Sequence, residues 1–317
     1  MTRVSSLTLQ RKCRTALWVV VRTALIVGIC FVILYPLLEK LSMTFKSEWD
    51  LYDPTVNLLP KDFNVHNYTA IIEYMNYWER LLKTLFLCTG TALLTTLSTT
   101  MVGYGFAKYR FRGHRFLFIC VMVAMIVPPQ TIMMSQFLNM RFFSFFGLTR
   151  LFGSQGLNLT DSPASLFLMS AFASGIKNAF FIFIMRQYFK GFPNELSEAA
   201  SIDGAGHMRV FLNIMLPSAI TMMVTVFLFM FVWQWNDNYF TLMLTGDYAT
   251  ISRGLSMLNS TGIGTVGGGG IVPSYGRVRV GMLLVTGEML SVIPLIILYL
   301  FGQKFLVEGV ERSGLVG

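Results

Sequence analysis

The chain has 317 residues, 54% of them hydrophobic and only 13% charged, with a mean hydropathy of +0.59. That balance lies well outside the range of soluble domains and predicts an all-α integral membrane protein. A formal net charge of +9 would suit nucleic acid, but Lys and Arg stand at the ends of apolar runs, so they read as topology signals and no nucleic-acid partner is expected.

The N-terminal cluster Arg11-Lys12-Cys13-Arg14 precedes an apolar run reaching Leu38, which is the charge order of a signal peptide. The run is too long for one and no small-x-small cleavage site follows, so it is expected to remain as a first span. A span needs about 20 mostly apolar residues. On that criterion about six transmembrane helices are expected, near residues 16–38, 81–107, 116–142, 164–189, 218–244 and 281–301, in a single transmembrane domain over 1–317. Cys30, Cys88 and Cys120 fall inside apolar runs, and together with Cys13 they show no metal-ligand spacing.

An even count places both termini on one side, and Lys and Arg in the short flanks decide which. Arg3, Arg11, Lys12 and Arg14 precede the first span, and Lys108, Arg110, Arg112 and Arg115 separate the second from the third, in both cases without an acid. Both segments are therefore expected in the cytoplasm, together with loop 190–217 and the tail carrying Lys304 and Arg312. The first loop, 39–80, mixes both signs with Trp and Tyr and fits an external segment on the membrane surface. Arg253, Arg277 and Arg279 run against this assignment, in a long connection of the kind that obeys the rule poorly.

Several spans are interrupted. Pro128-Pro129 removes two backbone donors from the third and Pro294 removes one from the sixth, which opens each helix for packing or for a gate. Gly103 and Gly105 are expected to admit a close helix neighbour. Lys177-Asn178, after Gly175, marks a break in the fourth span. The run 233–239 in the fifth lies in the outer third of the bilayer at about 1.5 Å per residue from Pro217. Its aromatic members, Trp235 included, read as interfacial anchors or as faces on which sugar rings stack. Asn236 and Asp237 add hydrogen-bonding groups. Asn178, Trp235, Asn236, Asp237 and Glu288 are thus the candidates for lining a solute path, although Glu288 is equally placed to snorkel to the interface. Gly262, Gly264 and Gly267 to Gly270 lack the Lys-Ser/Thr pair of a phosphate loop and read as a flexible external loop.

Loop 190–217 carries Glu195, Glu198, Asp203, His207 and Arg209, which hydrocarbon would not tolerate without partners. Asn194 is placed to cap a short helix through Ile202, with acids in its first turn and Gly204 as its stop. Ala199, Ala200 and Gly204 leave one side of it bare. Such a helix is either a plain connector between spans or a small knob made for docking.

The order Glu198-Ala199-Ala200, three residues, Gly204, nine residues, Ile214-Met215-Leu216-Pro217 resembles the signature loop of the membrane subunits of ATP-binding-cassette importers. Arg186-Gln187-Tyr188-Phe189, Gly191-Phe192-Pro193, Pro128-Pro129-Gln130, Trp235-Asn236-Asp237 and Gln303-Lys304-Phe305-Leu306-Val307-Glu308-Gly309 are similar to the carbohydrate-uptake branch of that family. The resemblance implies that Glu198, Ala199, Ala200, Asp203, Gly204 and Pro217 belong to a cytoplasmic coupling helix that docks in a groove of an ATPase. It also implies a second permease subunit, a cytoplasmic ATPase dimer, an extracellular or periplasmic solute-binding protein, surrounding lipid and a bacterial plasma membrane. The implied cargo is a sugar or oligosaccharide. A polyamine, phosphate or other small solute stays open, as does an ATP-independent carrier or channel.

No Gly-x4-Gly-Lys-Ser/Thr occurs in the chain, so ATP is expected on the partner and no cofactor on this subunit. His66, His114 and His207 all lie in loops and the buried acids are sparse, so neither catalytic residues nor a metal site is expected.

Overall fold

The computed structural model describes residues 2–144, 156–175, 177–193, 195–261 and 274–314. Among them the backbone is helical apart from loops and one isolated bridge between Phe143 and Leu157, as an all-α membrane protein requires. The residues fall into two compact units, Met1–Tyr74 with Leu258–Leu290, and Met75–Met257 with Ser291–Gly317.

The first unit begins with α1, Thr2–Thr44. Its residues 14–41 are all exposed, and burial begins only at its end, at Thr44. Leu17, Trp18, Val20, Phe31 and Val32 all stand exposed, so the helix is apolar on every side and suits hydrocarbon rather than water. The segment after α1 is knitted by polar contacts instead. The Asn67 amide donates to the carbonyls of Thr44 and Lys46 at 3.0 Å each, and the Lys46 ammonium donates to the Asn57 carbonyl at 2.5 Å. Phe45 stacks on Phe63, with ring centroids 4.7 Å apart. Lys61 and Thr55 hold the exposed Asp53 carboxyl below the usual carboxylate range. Helix α2, His66–Met75, closes the segment.

The second unit is organised around α3, Tyr77–Lys108. Helices α6, Ala164–Ala171, α7, Asn178–Lys190, and α10, Ile220–Asn236, pack against it. The reason is written in the middle of α3, where Thr91, Thr95, Thr96, Ser98, Thr99 and Thr100 are buried. Small side chains let helices approach closely; some of their hydroxyls bond nearby carbonyls, while those of Thr95 and Thr100 have no hydrogen-bond partner. Thr91, Thr96 and Thr99 donate to carbonyls one turn back at 2.6–2.7 Å, and Ser98 crosses to the Ser170 carbonyl of α6 at 2.7 Å. A Cβ at Gly103 would lie 2.6 Å from Met185 Cβ and 2.9 Å from the Arg186 backbone nitrogen, so α7 does come as close as expected there. Gly105 has nothing within 4 Å and plays no such part.

Over the expected spans the described helices take three forms. Arg14–Thr44, Tyr77–Lys108 and Val278–Leu306 are continuous helices long and apolar enough to cross a membrane. The third is within α13, Ser274–Gly314, which runs through Pro294 without a break. The proline takes away one backbone donor but does not end the helix. Two further candidates are bent pairs, which bring the count to five if each is one span. Helices α4, His114–Ile126, and α5, Pro129–Arg141, meet at 108° across Val127 and Pro128. Pro128-Pro129 thus turns the chain outright instead of loosening one helix. Helix α9, His207–Ser218, meets α10 at 70°. The remaining candidate, 164–189, is divided into α6 and α7 by a turn in which Ala173 has φ +52°, so the break expected at Lys177-Asn178 separates two helices. Helices α8, Glu195–Ile202, α11, Tyr239–Thr245, and α12, Ile251–Thr261, are the other α-helices among the described residues.

Candidate functional site

The 190–217 loop is held at the end of the second unit where α3 finishes. The Lys108 ammonium donates to the Phe192 carbonyl at 2.8 Å, and the Tyr188 hydroxyl donates to the Ser218 carbonyl at 2.6 Å. Tyr104 sits between Phe189 and Phe211, at centroid distances of 5.3 and 4.7 Å, while Tyr109 meets His207 edge-on at 5.7 Å. Both ends of the loop are therefore braced by the last turns of α3. The basic stretch 108–115 and the acidic helix share one end of the unit.

Within that brace, α8 has Glu195 and Glu198 in its first turn, where the helix dipole favours acids. It ends as a Schellman motif: the Ala205 N–H donates to the Ala200 carbonyl at 2.9 Å while Gly204 takes φ +79°. The stop expected at Gly204 is therefore a conformational one. Asn194, the expected cap, lies outside the described residues. Glu198, Ala199, Asp203 and Gly204 are exposed and Ala200 is half-buried. Ile202 and Met208, apolar side chains of the same loop, are 86% and 66% exposed. Neither stood out in the sequence, because the loop holds other apolar residues such as Leu196, Val210 and Phe211 and exposure is not written in composition. Helix α9 contains a π turn, Phe211–Met215, directly before Leu216-Pro217, where the chain gives up a backbone donor.

The candidate path residues are not gathered in one place. Asn178 is wholly buried, neither atom of its amide has a hydrogen-bond partner, and it faces a cavity of about 50 Å³. Lys177, Gln234 and Asp237 line the same cavity. The Lys177 ammonium lies 4.7 Å from the Trp233 ring centre. The Asp237 carboxylate accepts from the Thr241 N–H at 3.0 Å and its hydroxyl at 2.9 Å, which caps α11. Trp235 is buried and stacked on Phe231, a packing residue and not an interfacial anchor. Asn236 is exposed and its amide returns to the Val232 carbonyl at 2.9 Å. Glu288 belongs to the first unit, where it pairs with Lys40 at 2.8 Å. The cavity has room for water-sized occupants; ligand pockets run to roughly 300 Å³ and more. The glycine run 262–270 lies outside the described residues, and no cluster of His, Cys, Asp or Glu suited to a metal occurs among them.

A helical membrane chain without a nucleotide-binding loop, presenting a braced polar helix at one end of its bundle, has the build of a permease subunit. The chain belongs to the family of binding-protein-dependent transport system inner membrane components, whose profile matches residues 99–312. It is 25% identical over 294 residues to the arabinooligosaccharides transport system permease protein of Halalkalibacterium halodurans, covering 91% of this chain and 93% of that one. The corresponding protein of Bacillus subtilis is 27% identical over 292 residues, 90% of this chain and 91% of its own. The lactose transport system permease protein of Rhizobium radiobacter is 28% identical, over 71% and 70%. In fold, the chain is similar to a chain of a bacterial ABC transporter involved in the import of the acidic polysaccharide alginate, with TM-score 0.70, 23% identity and coverage of 91% and 96%.

Proposed function

We propose that the chain is the permease subunit of an ATP-binding-cassette importer that moves a sugar or oligosaccharide delivered by an external solute-binding protein. The carrying observation is the match, over about nine-tenths of both chains, to permeases named for arabinooligosaccharides. Permeases named for maltodextrin and lactose support the same cargo class. A relative named for osmoprotective compounds, 25% identical over 248 residues, keeps another small solute as the second reading.

On this reading the whole chain is one transmembrane domain with both termini in the cytoplasm. It works beside a second permease and over a pair of ATPase subunits that supply the chemistry. Glu198, Ala199, Ala200, Asp203 and Gly204 form the docking knob, Ile202 and Met208 give it an apolar rim, and the π turn before Pro217 passes its displacement to α10. Asn178 and Asp237 act at the outer break of the bundle, where the small cavity opens as the helices move. The test is reconstitution with the ATPase and binding protein in liposomes, after thermal-shift screening of the binding protein against sugars. ATP-dependent uptake of a stabilising sugar is expected. A binding protein stabilised only by a non-carbohydrate solute would replace the cargo assignment.

A further inference from the structure

A larger cavity, of about 830 Å³, opens at the corner between α3 and α4 in the second unit. Its wall carries Arg110, Arg115, Arg186, Lys190 and His114, and no carboxylate. Two of these side chains are committed. Arg186 donates from Nε to the Phe106 carbonyl at 3.3 Å and lies 3.9 Å from the Phe118 ring centre, while His114 Nε2 contacts the same carbonyl at 3.0 Å. Among the described residues no acid pairs with Arg110, Arg115 or Lys190. Unpaired like charges around one cavity repel each other unless an anion sits between them.

The start of α4 points the same way. Gly113 provides no side-chain cap, and the first turn holds no acid but His114 and Arg115, opposed to the helix dipole. The rim adds Phe111 and Phe116, 45% and 68% exposed. Cations beside exposed aromatic faces, at the end of apolar helices, match a phosphate headed by charge and tailed by hydrocarbon.

We propose that this cavity binds the phosphodiester of an anionic phospholipid, held by Arg110, Arg115 and Lys190, with Phe116 against the acyl chains. A free phosphate would use the same cations but gain nothing from the phenylalanines. Lys190 opens the 190–217 loop, so an occupant also fixes the root of that loop.

The full chain, purified in neutral detergent, is offered equal phosphatidylglycerol and phosphatidylcholine and its retained lipid is read by native mass spectrometry. Preferential retention of phosphatidylglycerol is expected. Arg110→Gln with Arg115→Gln should weaken retention about 25-fold, at about fivefold for each charge near a membrane surface. Lysine at both positions should restore most of it, which separates charge from folding. Arg112→Gln, in the same loop but outside the cavity wall, should change nothing. Equal retention of the two lipids, or an equal loss in Arg112→Gln, would overturn the site. Competition by millimolar inorganic phosphate as effective as phosphatidylglycerol would make it a free-anion site, and displacement of the lipid by the ATPase would make it a protein contact; either result overturns the lipid assignment.

Discussion

Gly103→Ala and Gly105→Ala form a matched pair. The two glycines stand two residues apart in the same helix, so alanine gains each about the same helix propensity, roughly 1 kcal/mol. They differ in what the new methyl group meets. At Gly103 it would lie 2.6 Å from Met185 Cβ, 2.9 Å from the Arg186 nitrogen and 3.1 Å from the Met185 carbonyl carbon, while at Gly105 it meets nothing within 4 Å. Backbone atoms cannot swing aside, so α7 has to move away from α3 as a body. Overpacking of this kind costs about 1–3 kcal/mol. The propensity term cancels between the two variants, and the whole overpacking cost is expected as the gap between them. Gly105→Ala should melt at or above the parent and Gly103→Ala below both. Thermal unfolding of the full chain in neutral detergent, followed by tryptophan fluorescence, reads the order. Coincident melting of the two variants would refute the close approach of α3 and α7.

At the coupling loop, Ala200→Arg and Ile202→Asp should release the ATPase on co-purification while the chain still inserts, with overpacking of about 1–3 kcal/mol and charge burial acting together; full retention and coupled hydrolysis in both would remove the loop from the docking role. Glu198→Gln should be milder than Glu198→Lys. Gly204→Glu is read against Gly204→Ala, because φ +79° strains any side chain there before a partner is met. Asp237→Ala should lower the thermal midpoint by the worth of a lost cap, about 0.5–2 kcal/mol, and reduce uptake, whereas Asn236→Ala should leave the midpoint unchanged; normal uptake in both would end their assignment to the path. Impermeant thiol reagents on sealed cells should label a cysteine at position 57 and not at 112 or 205, and the reverse pattern would invert the topology.

What could be read in the sequence was local chemistry. Gly204 ends α8 because only glycine takes a left-handed backbone cheaply, and that holds whatever packs nearby. The break before Asn178 and the disturbance at Pro128-Pro129 are local in the same way, but the size of the bend, 108°, depends on what each half packs against. Glycine spacing alone could not separate Gly103 from Gly105, since the difference lies in α7, some eighty residues on. The pairing of Glu288 with Lys40 spans 248 residues and leaves no trace in either neighbourhood. Asp237 looked free for solute because its partner, the first turn of α11, follows a break that composition does not reveal.

Helix α1 carries a different kind of information. Since residues 14–41 are all exposed, their sequence answers to length and oiliness rather than to the shape of a neighbour among the described residues. It is also the natural place for grafting: an unrelated apolar helix of equal length should still span the membrane.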